Sequence, residues 1–573
     1  MKLTTALLGA ACAIALAPAA YAERGTDGEL KLTFPQAVSI LNPFLSSGTK
    51  DVYSSSMIIE PLAGYDASGN LIPKLAVEIP TLENGGISAD LTSITWKLLP
   101  GLLWSDGTPV TADDVVFTAN YCMDPAGGCA QASKFDGVAS VEAVDASTVK
   151  VTFAAAKPNP YTAFVGALSP IIQKAQFAAC TGAAAPTCTD QNNGPIGTGP
   201  YMVTGFTVND TVSMAANPNY RDPMKPAFAT AVIKGGGDAE GSARAVMETG
   251  EFDYAWNTQI PPDSQAAMTA AGKGQFVVAF GTLIERLEMN MTNPSPDLPE
   301  GERSTAMHPH PFLTDIRVRT ALSKAIDRSI LVEVGYGAGG APACNIVPAP
   351  AAWASDNTGC IAQDMEGAKA LLDEAGWVVG ADGIREKDGM KLNILYQTTV
   401  NPVRQDFQAL IKDWWTELGV NVELKAIDPS VFFGGDAGSP DTFQKFYADV
   451  EMYANNSDGT DPETYLSQYQ CKNAPKPENQ WQGENMNRFC DPAYDALVAE
   501  LSGTRDIAKR QEIAKKLNDM VTKDSMIVIP LVHRGTLSAH SNALGGVQIN
   551  AWDSEMWNVA DWYRVKVSLR GGP

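Results

Sequence analysis

The stretch 392–424 restricts the fold more tightly than any other part of the chain. Residues 392–396 read as a strand and 397–403 as the loop after it. Over 404–418, Phe407, Leu410, Ile411, Trp414 and Leu418 recur at helical spacing, and Gly419 stands where a helix stops. Val420, Val422 and Leu424 then alternate as a second strand. Strand, helix and strand in succession form an α/β layer. The pattern recurs earlier, with a helix predicted over 242–249 and a strand over 252–256. At 573 residues the chain exceeds what one hydrophobic core accommodates, so two or three domains are expected.

The N-terminus stands outside that count. Lys2, an apolar run over 3–17 and Ala20-Tyr21-Ala22 ahead of Glu23 have the form of a secretory signal, which places the mature chain in the periplasm, beginning at Glu23. A lipoprotein signal using Cys12 fits less well, because Gly9 occupies the position where a lipobox wants leucine. No other apolar run is long enough to span a bilayer. Without the leader, 41 basic residues face 65 acidic ones, a net charge of −24, which argues against a nucleic-acid partner. Eight cysteines remain, an even number suited to an oxidising compartment. Pairing by proximity joins Cys122 with Cys129, Cys180 with Cys188, Cys344 with Cys360, and Cys471 with Cys490. No C-x-x-C spacing supports a metal alternative.

Residues 95–118 (TWKLLPGLLWSDGTPVTADDVVFT) carry the most distinctive local pattern. Ile94, Trp96 and Leu98 alternate as a strand, and Pro100-Gly101 turns the chain. A short strand over 102–104 leads to the Ser105-Asp106-Gly107 turn. Thr111 then stands as an N-cap, with Asp113 and Asp114 in the first helical turn. This order resembles the signature region of the peptide/nickel class (family 5) of bacterial extracellular solute-binding proteins, the receptors of ABC importers. Further similar segments follow in the family's order: 196–201 (IGTGPY) with 217–220 (NPNY), 248–254 (ETGEFDY), 315–330 (DIRVRTALSKAIDRSI) and 368–377 (AKALLDEAGW).

The resemblance implies a two-lobed α/β architecture, the type II periplasmic binding protein fold of the large peptide-binding class, with an accessory subdomain in the first lobe. Lobe I is expected over 23–65, 194–285 and 528–573, the accessory subdomain over 66–193 and lobe II over 286–527. A hinge is expected near 289–293, and 527–531 is expected to return the chain to lobe I. The implied function is capture of a solute, foremost an oligopeptide, between the lobes of a monomer, for delivery to an inner-membrane ABC permease. Other members of the family take opines, oligosaccharides or metal chelates, and a non-transporting chaperone or scaffold is the alternative of another class.

Candidate ligand contacts follow from position. Arg404 opens a helix toward the cleft, where its planar fork suits a carboxylate, as the resemblance implies for a peptide C-terminus. Asp458, ahead of a D-P step, is the family-like acceptor for an α-amino group, although the surrounding loop departs from the common spacing. Trp256 and Asn257 end a strand that points at the cleft, and Tyr453 stands near the usual tryptophan, so Trp256 and Tyr453 also define a sugar-stacking alternative. Ser46 and Ser47 offer hydroxyls from a loop, where such groups commonly serve the backbone. His308 and His310 form an H-x-H pair in a proline-flanked loop, a weak metal signal in a chain with four histidines. No cofactor is implied. Gly335 to Gly340 fits G-x-G-x-x-G without a following helix, and G-x-S-x-G, H-E-x-x-H and Walker motifs do not occur, so an enzyme is not expected.

Overall fold

The computed structural model describes residues 23–456 and 459–565, so the expected leader and Asp458 lie outside the described residues. The α/β reading of 392–424 is met by strand Asn393–Thr399, helix Pro402–Glu417 and strand Asn421–Ile427. Asn401 caps the helix by accepting the Arg404 N–H at 3.0 Å, and Pro402 occupies the first turn, where a missing N–H costs no helical hydrogen bond. Gly419, with φ +85°, ends it in the left-handed region. The two strands pair in parallel, and Val450–Asn455 joins Asn393–Thr399 in parallel on its other side. Ile284–Met289, Val528–Arg534 and Gly340–Pro342 complete a six-stranded sheet through antiparallel pairs. Its core gathers Leu287, Ile394, Val422, Phe407, Ile411 and Trp415.

A second, seven-stranded sheet has Glu29–Phe34 at its centre, parallel to both Thr230–Gly235 and Tyr254–Ala255. Tyr201–Thr207 and Thr211–Ala216 form the hairpin expected from Asn209-Asp210; Asn209 takes φ +58°, a conformation asparagine tolerates. The segment 66–193 adds a three-stranded sheet of Ser93–Lys97, Thr148–Phe153 and Val138–Asp145. Its Trp96 and Trp104 share one continuous core with Leu30, Ile233 and Tyr254 of the seven-stranded sheet. Helix Ala112–Met123 begins as expected with a capping box, in which Asp114 accepts the Thr111 N–H at 2.9 Å, and the Trp104 indole donates to the same carboxylate at 3.4 Å. Residues 102–104 make only one isolated bridge, Leu103 with Pro109, because the Asp106-Gly107 turn reverses the chain before a ladder can extend.

The chain passes between the two large sheets twice. It leaves the seven-stranded sheet after Gly274–Ala279 and enters the other at Ile284–Met289. It returns between Val528–Arg534 and Thr536–Ser541, through Gly535 alone. Both crossings differ from expectation. Met289 lies inside the six-stranded sheet and not at a hinge, and Val528–Arg534 pairs beside Ile284–Met289 instead of returning to lobe I. The strand is buried along nearly its whole length, so its composition suits the centre of either sheet. The crossings touch: Arg534 N–H donates to Leu283 O at 3.1 Å, and a Cβ at Gly535 would collide with Val278. Among the described residues, no helix is long and apolar enough to cross a membrane.

All four proximity pairs have their sulfur atoms at bonding distance. Cys471–Cys490, 19 residues apart, closes the widest loop of the four. Replacing both cysteines by serine is expected to lower unfolding free energy by about 3 kcal/mol, chiefly by freeing the unfolded chain. Urea unfolding with and without reductant measures this; a change in the variant below about 0.5 kcal/mol would mean that the bridge restrains little.

Candidate functional site

A cleft with about 1250 Å³ of empty space, including the part open to solvent, lies between the sheets. The seven-stranded side and its accessory segment contribute Gln36, Ser47, Gln131, Trp256, Asn257 and Glu555. The six-stranded side contributes Arg404, Phe433, Tyr453, Glu484, Met486 and Arg534. Ser47, Trp256, Asn257, Arg404 and Tyr453 of the sequence candidates therefore share one cleft.

Ser46 points elsewhere. It is fully buried, donates to Asp51 Oδ2 at 2.7 Å and accepts the Gly48 N–H at 3.0 Å, which makes its hydroxyl part of a turn. Ser47 accepts from Gln444 Nε2 at 3.4 Å, a contact that reaches across the cleft. Asn257 takes φ +50°, and its N–H donates to Ser538 at 3.1 Å. Trp256 and Tyr453 are wall residues, 3% and 4% exposed. Trp256 packs against Phe34 and Tyr53, with ring centroids 4.9 and 5.8 Å away, and Tyr453 against Phe432, Phe433 and Phe443. The Tyr453 hydroxyl donates away from the cleft, to Glu288 at 3.4 Å.

The electrostatic centre is a buried triad. Arg404 Nε donates to Glu285 Oε1 at 2.6 Å, and another of its nitrogens donates to Thr399 at 3.0 Å. Arg534 Nε stands 3.3 Å from Glu285 Oε2 without the angle of a hydrogen bond. Tyr336 donates to the same oxygen at 3.0 Å. Burial alone would raise the Glu285 carboxyl, but the charges of Arg404 and Arg534 outweigh it and hold the group below its ordinary range. Two guanidinium groups therefore share one carboxylate, leaving one surplus positive charge beside the cleft. Arg534 is 4% exposed and makes no hydrogen bond through its side chain to any described residue.

Arg534, Glu484 and Glu555 were not among the sequence candidates. Glu555 is buried and accepts from Tyr254 at 2.5 Å and Ser538 at 2.6 Å; burial pushes it up to about 7 against those hydrogen bonds. Only tertiary packing brings these residues to the cleft, since Glu484 and Glu555 lie outside the helices and strands and Arg534 ends a strand. His308 and His310 do not converge. His308 meets Glu302 at 2.7 Å, while His310 Nε2 meets Asp449 at 2.8 Å and its Nδ1 accepts the Leu313 N–H, which puts the proton on Nε2. Among the described residues, no cluster of three or more His, Cys, Asp or Glu side chains could hold a metal ion.

The chain matches the family model of bacterial extracellular solute-binding proteins, family 5, over residues 70–476. It is 24% identical over 520 residues to the glutathione-binding protein GsiB of Escherichia coli (strain K12), covering 89% of this chain and 90% of that protein. Protein XP55 of Streptomyces lividans is 29% identical over 390 residues, 67% of this chain, and the match spans 64% of XP55. The solved oligopeptide-binding protein AppA of Bacillus subtilis, in complex with a nonapeptide, superposes with TM-score 0.80 at 19% identity, over 95% of this chain and 100% of that one. NikZ of Campylobacter jejuni, in complex with Ni(L-His), gives 0.78 at 22% identity, over 94% and 99%. These likenesses show the two-lobed fold, and the family match over most of the sequence identifies the chain as a member of the family 5 bacterial extracellular solute-binding proteins.

Proposed function

We propose that this chain is a periplasmic receptor that captures an oligopeptide between its lobes and delivers it to an ABC permease, acting as a monomer and as a binder without catalysis. The observation that carries the reading is the surplus positive charge of Arg404 and Arg534 over Glu285 on a cleft shared by both lobes. A terminal carboxylate would neutralise it, and a guanidinium fork binds such a group in two-point fashion. Ala454, Asn455 and Asn456, at the end of a strand, line the same cleft, where an extended peptide could pair with backbone in a way tolerant of side-chain identity. Asp458, two residues further along the sequence, is proposed as an acceptor for the α-amino group. The peptide ligands named for AppA and GsiB are in keeping with this reading.

A sugar-stacking cleft is less well supported, since Trp256 and Tyr453 are engaged in aromatic clusters within the walls. Native mass spectrometry of the purified protein, followed by a thermal-shift screen with peptides, opines and sugars, tests the proposal. The expected result is a ladder of co-purifying peptide masses and stabilisation of about 2.7 kcal/mol at a peptide concentration of 100 times Kd. Stabilisation by a sugar or opine with none from peptides would overturn it.

A further inference from the structure

The residue at the cleft with the least satisfied charge of negative sign is Glu484. It lies on the loop closed by Cys471–Cys490 and is only half-buried, on a face that lines the cleft. The loop is held at many points. Glu484 N–H donates to Asn473 O at 3.0 Å, and the adjacent Asn485 side chain donates to three carbonyls, those of Tyr469, Gln470 and Phe489. Asn487 donates to Met289 O and Ile527 O, at 3.0 and 2.7 Å, which fastens the loop to the six-stranded sheet. The backbone that carries Glu484 is thus fixed in position before any ligand arrives, which reduces the ordering cost of binding.

Its own partners are few. Gln468 Nε2 donates to Oε1 at 3.3 Å. Among the described residues, no lysine or arginine lies within ion-pair distance of it, while Glu555, the other acidic residue lining the cleft, accepts from both Tyr254 and Ser538. Building upon the peptide reading, in which Asp458 takes the α-amino group, we infer that Glu484 is the specificity-determining acceptor for a basic side chain of the ligand. Such a cation would supply the charge-assisted hydrogen bonds that the carboxylate lacks. With Arg404 and Arg534 offering surplus positive charge to the same cleft, the preferred solute carries both signs of charge.

The electrostatic surroundings agree. Burial pushes the Glu484 carboxyl up to about 7, opposed by Ser133, Lys134 and Gln468, with Asp136 reinforcing the rise. Ser133 and Gln468 are neutral, so Lys134 and Asp136 are the charged groups that face it. A carboxyl raised in the free protein must lose its proton to take up a cation, so affinity for a cationic ligand falls as pH drops below 7. Glu555 titrates in the same range, and only substitution separates the two.

The test is isothermal titration of the mature protein and of Glu484→Gln with four probes at pH 8: tri-alanine, N-acetyl-tri-alanine, Ala-Lys-Ala and N-acetyl-Ala-Lys-Ala. Wild-type protein is expected to prefer a cationic probe over its uncharged counterpart by roughly tenfold or more, and the variant to lose most of that preference. Preference for the acetylated lysine peptide over acetylated tri-alanine, lost in the variant, supports the basic side chain; a variant that loses only the preference for tri-alanine over its acetylated form would assign Glu484 to the α-ammonium and overturn the inference. In wild type, affinity for the preferred probe should fall up to roughly 30-fold from pH 8 to pH 5.5, and the variant should show little of this. An unchanged preference in the variant, or none in wild type, overturns the inference and leaves peptide binding intact. Failure of all four probes to bind wild type overturns the peptide reading, and the inference with it. A thermal melt of Glu484→Gln matching wild type confirms that the comparison is between folded proteins.

Discussion

Glu285→Gln is expected to lower the unfolding free energy by about 3–5 kcal/mol, the largest effect of any single substitution considered for this protein. Glu285 is fully buried, and its two oxygens are the shared counter-charge of Arg404 and Arg534, which are 2% and 4% exposed. Glutamine keeps the shape but removes the charge, leaving two guanidinium groups in the interior with no anion. The wild-type carboxyl is held below its ordinary range, so its contribution is present above the unfolded value near 4.5 and is lost as pH falls through the folded value. Thermal melts from pH 7 to pH 3 should show wild type losing its advantage over Glu285→Gln only at the acid end. A variant melting within 1 °C of wild type at pH 7 would show that the triad adds nothing to stability.

Arg534→Ala carries the second large effect, on binding. Its removal leaves Glu285 paired with Arg404 at 2.6 Å, so the buried charges still balance and the fold should persist. What disappears is the surplus cation. Peptides with a free C-terminal carboxylate are expected to lose on the order of 100-fold in affinity, about 3 kcal/mol, whereas C-terminal amides should change little. The difference between acid and amide separates loss of charge recognition from general damage to the cleft. Equal losses for both would place the carboxylate elsewhere.

How much of this was legible in the sequence depended on whether a residue's surroundings were local. The helix Pro402–Glu417 is written in apolar spacing, an asparagine cap and Gly419, all within one stretch, and so Arg404 could be placed at the cleft from its position alone. The capping box of Thr111 and Asp114 was equally local. The partner that occupies Arg404 was not, since Glu285 lies 119 residues earlier in a strand whose sheet membership composition cannot assign. The same ambiguity hid Arg534, because Val528–Arg534 is apolar enough to belong to either sheet. Ser46 illustrates the converse: a hydroxyl in a cleft-side loop is indistinguishable in sequence from one satisfying its own turn. The disulfides were readable by proximity because each closes a short segment, with separations of 7 to 19 residues.

Arg534 and Gly535 are adjacent, so the side chain left short of hydrogen bonds belongs to the residue next to the one through which the returning chain passes. Any rotation of one sheet against the other has to be absorbed by bonds at Gly535 and at 280–283, and these two strands of backbone lie in contact. A tug on Arg534 therefore acts beside the pivot, and like a hand on the short arm of a lever, its small displacement is multiplied at the distant rims of the molecule.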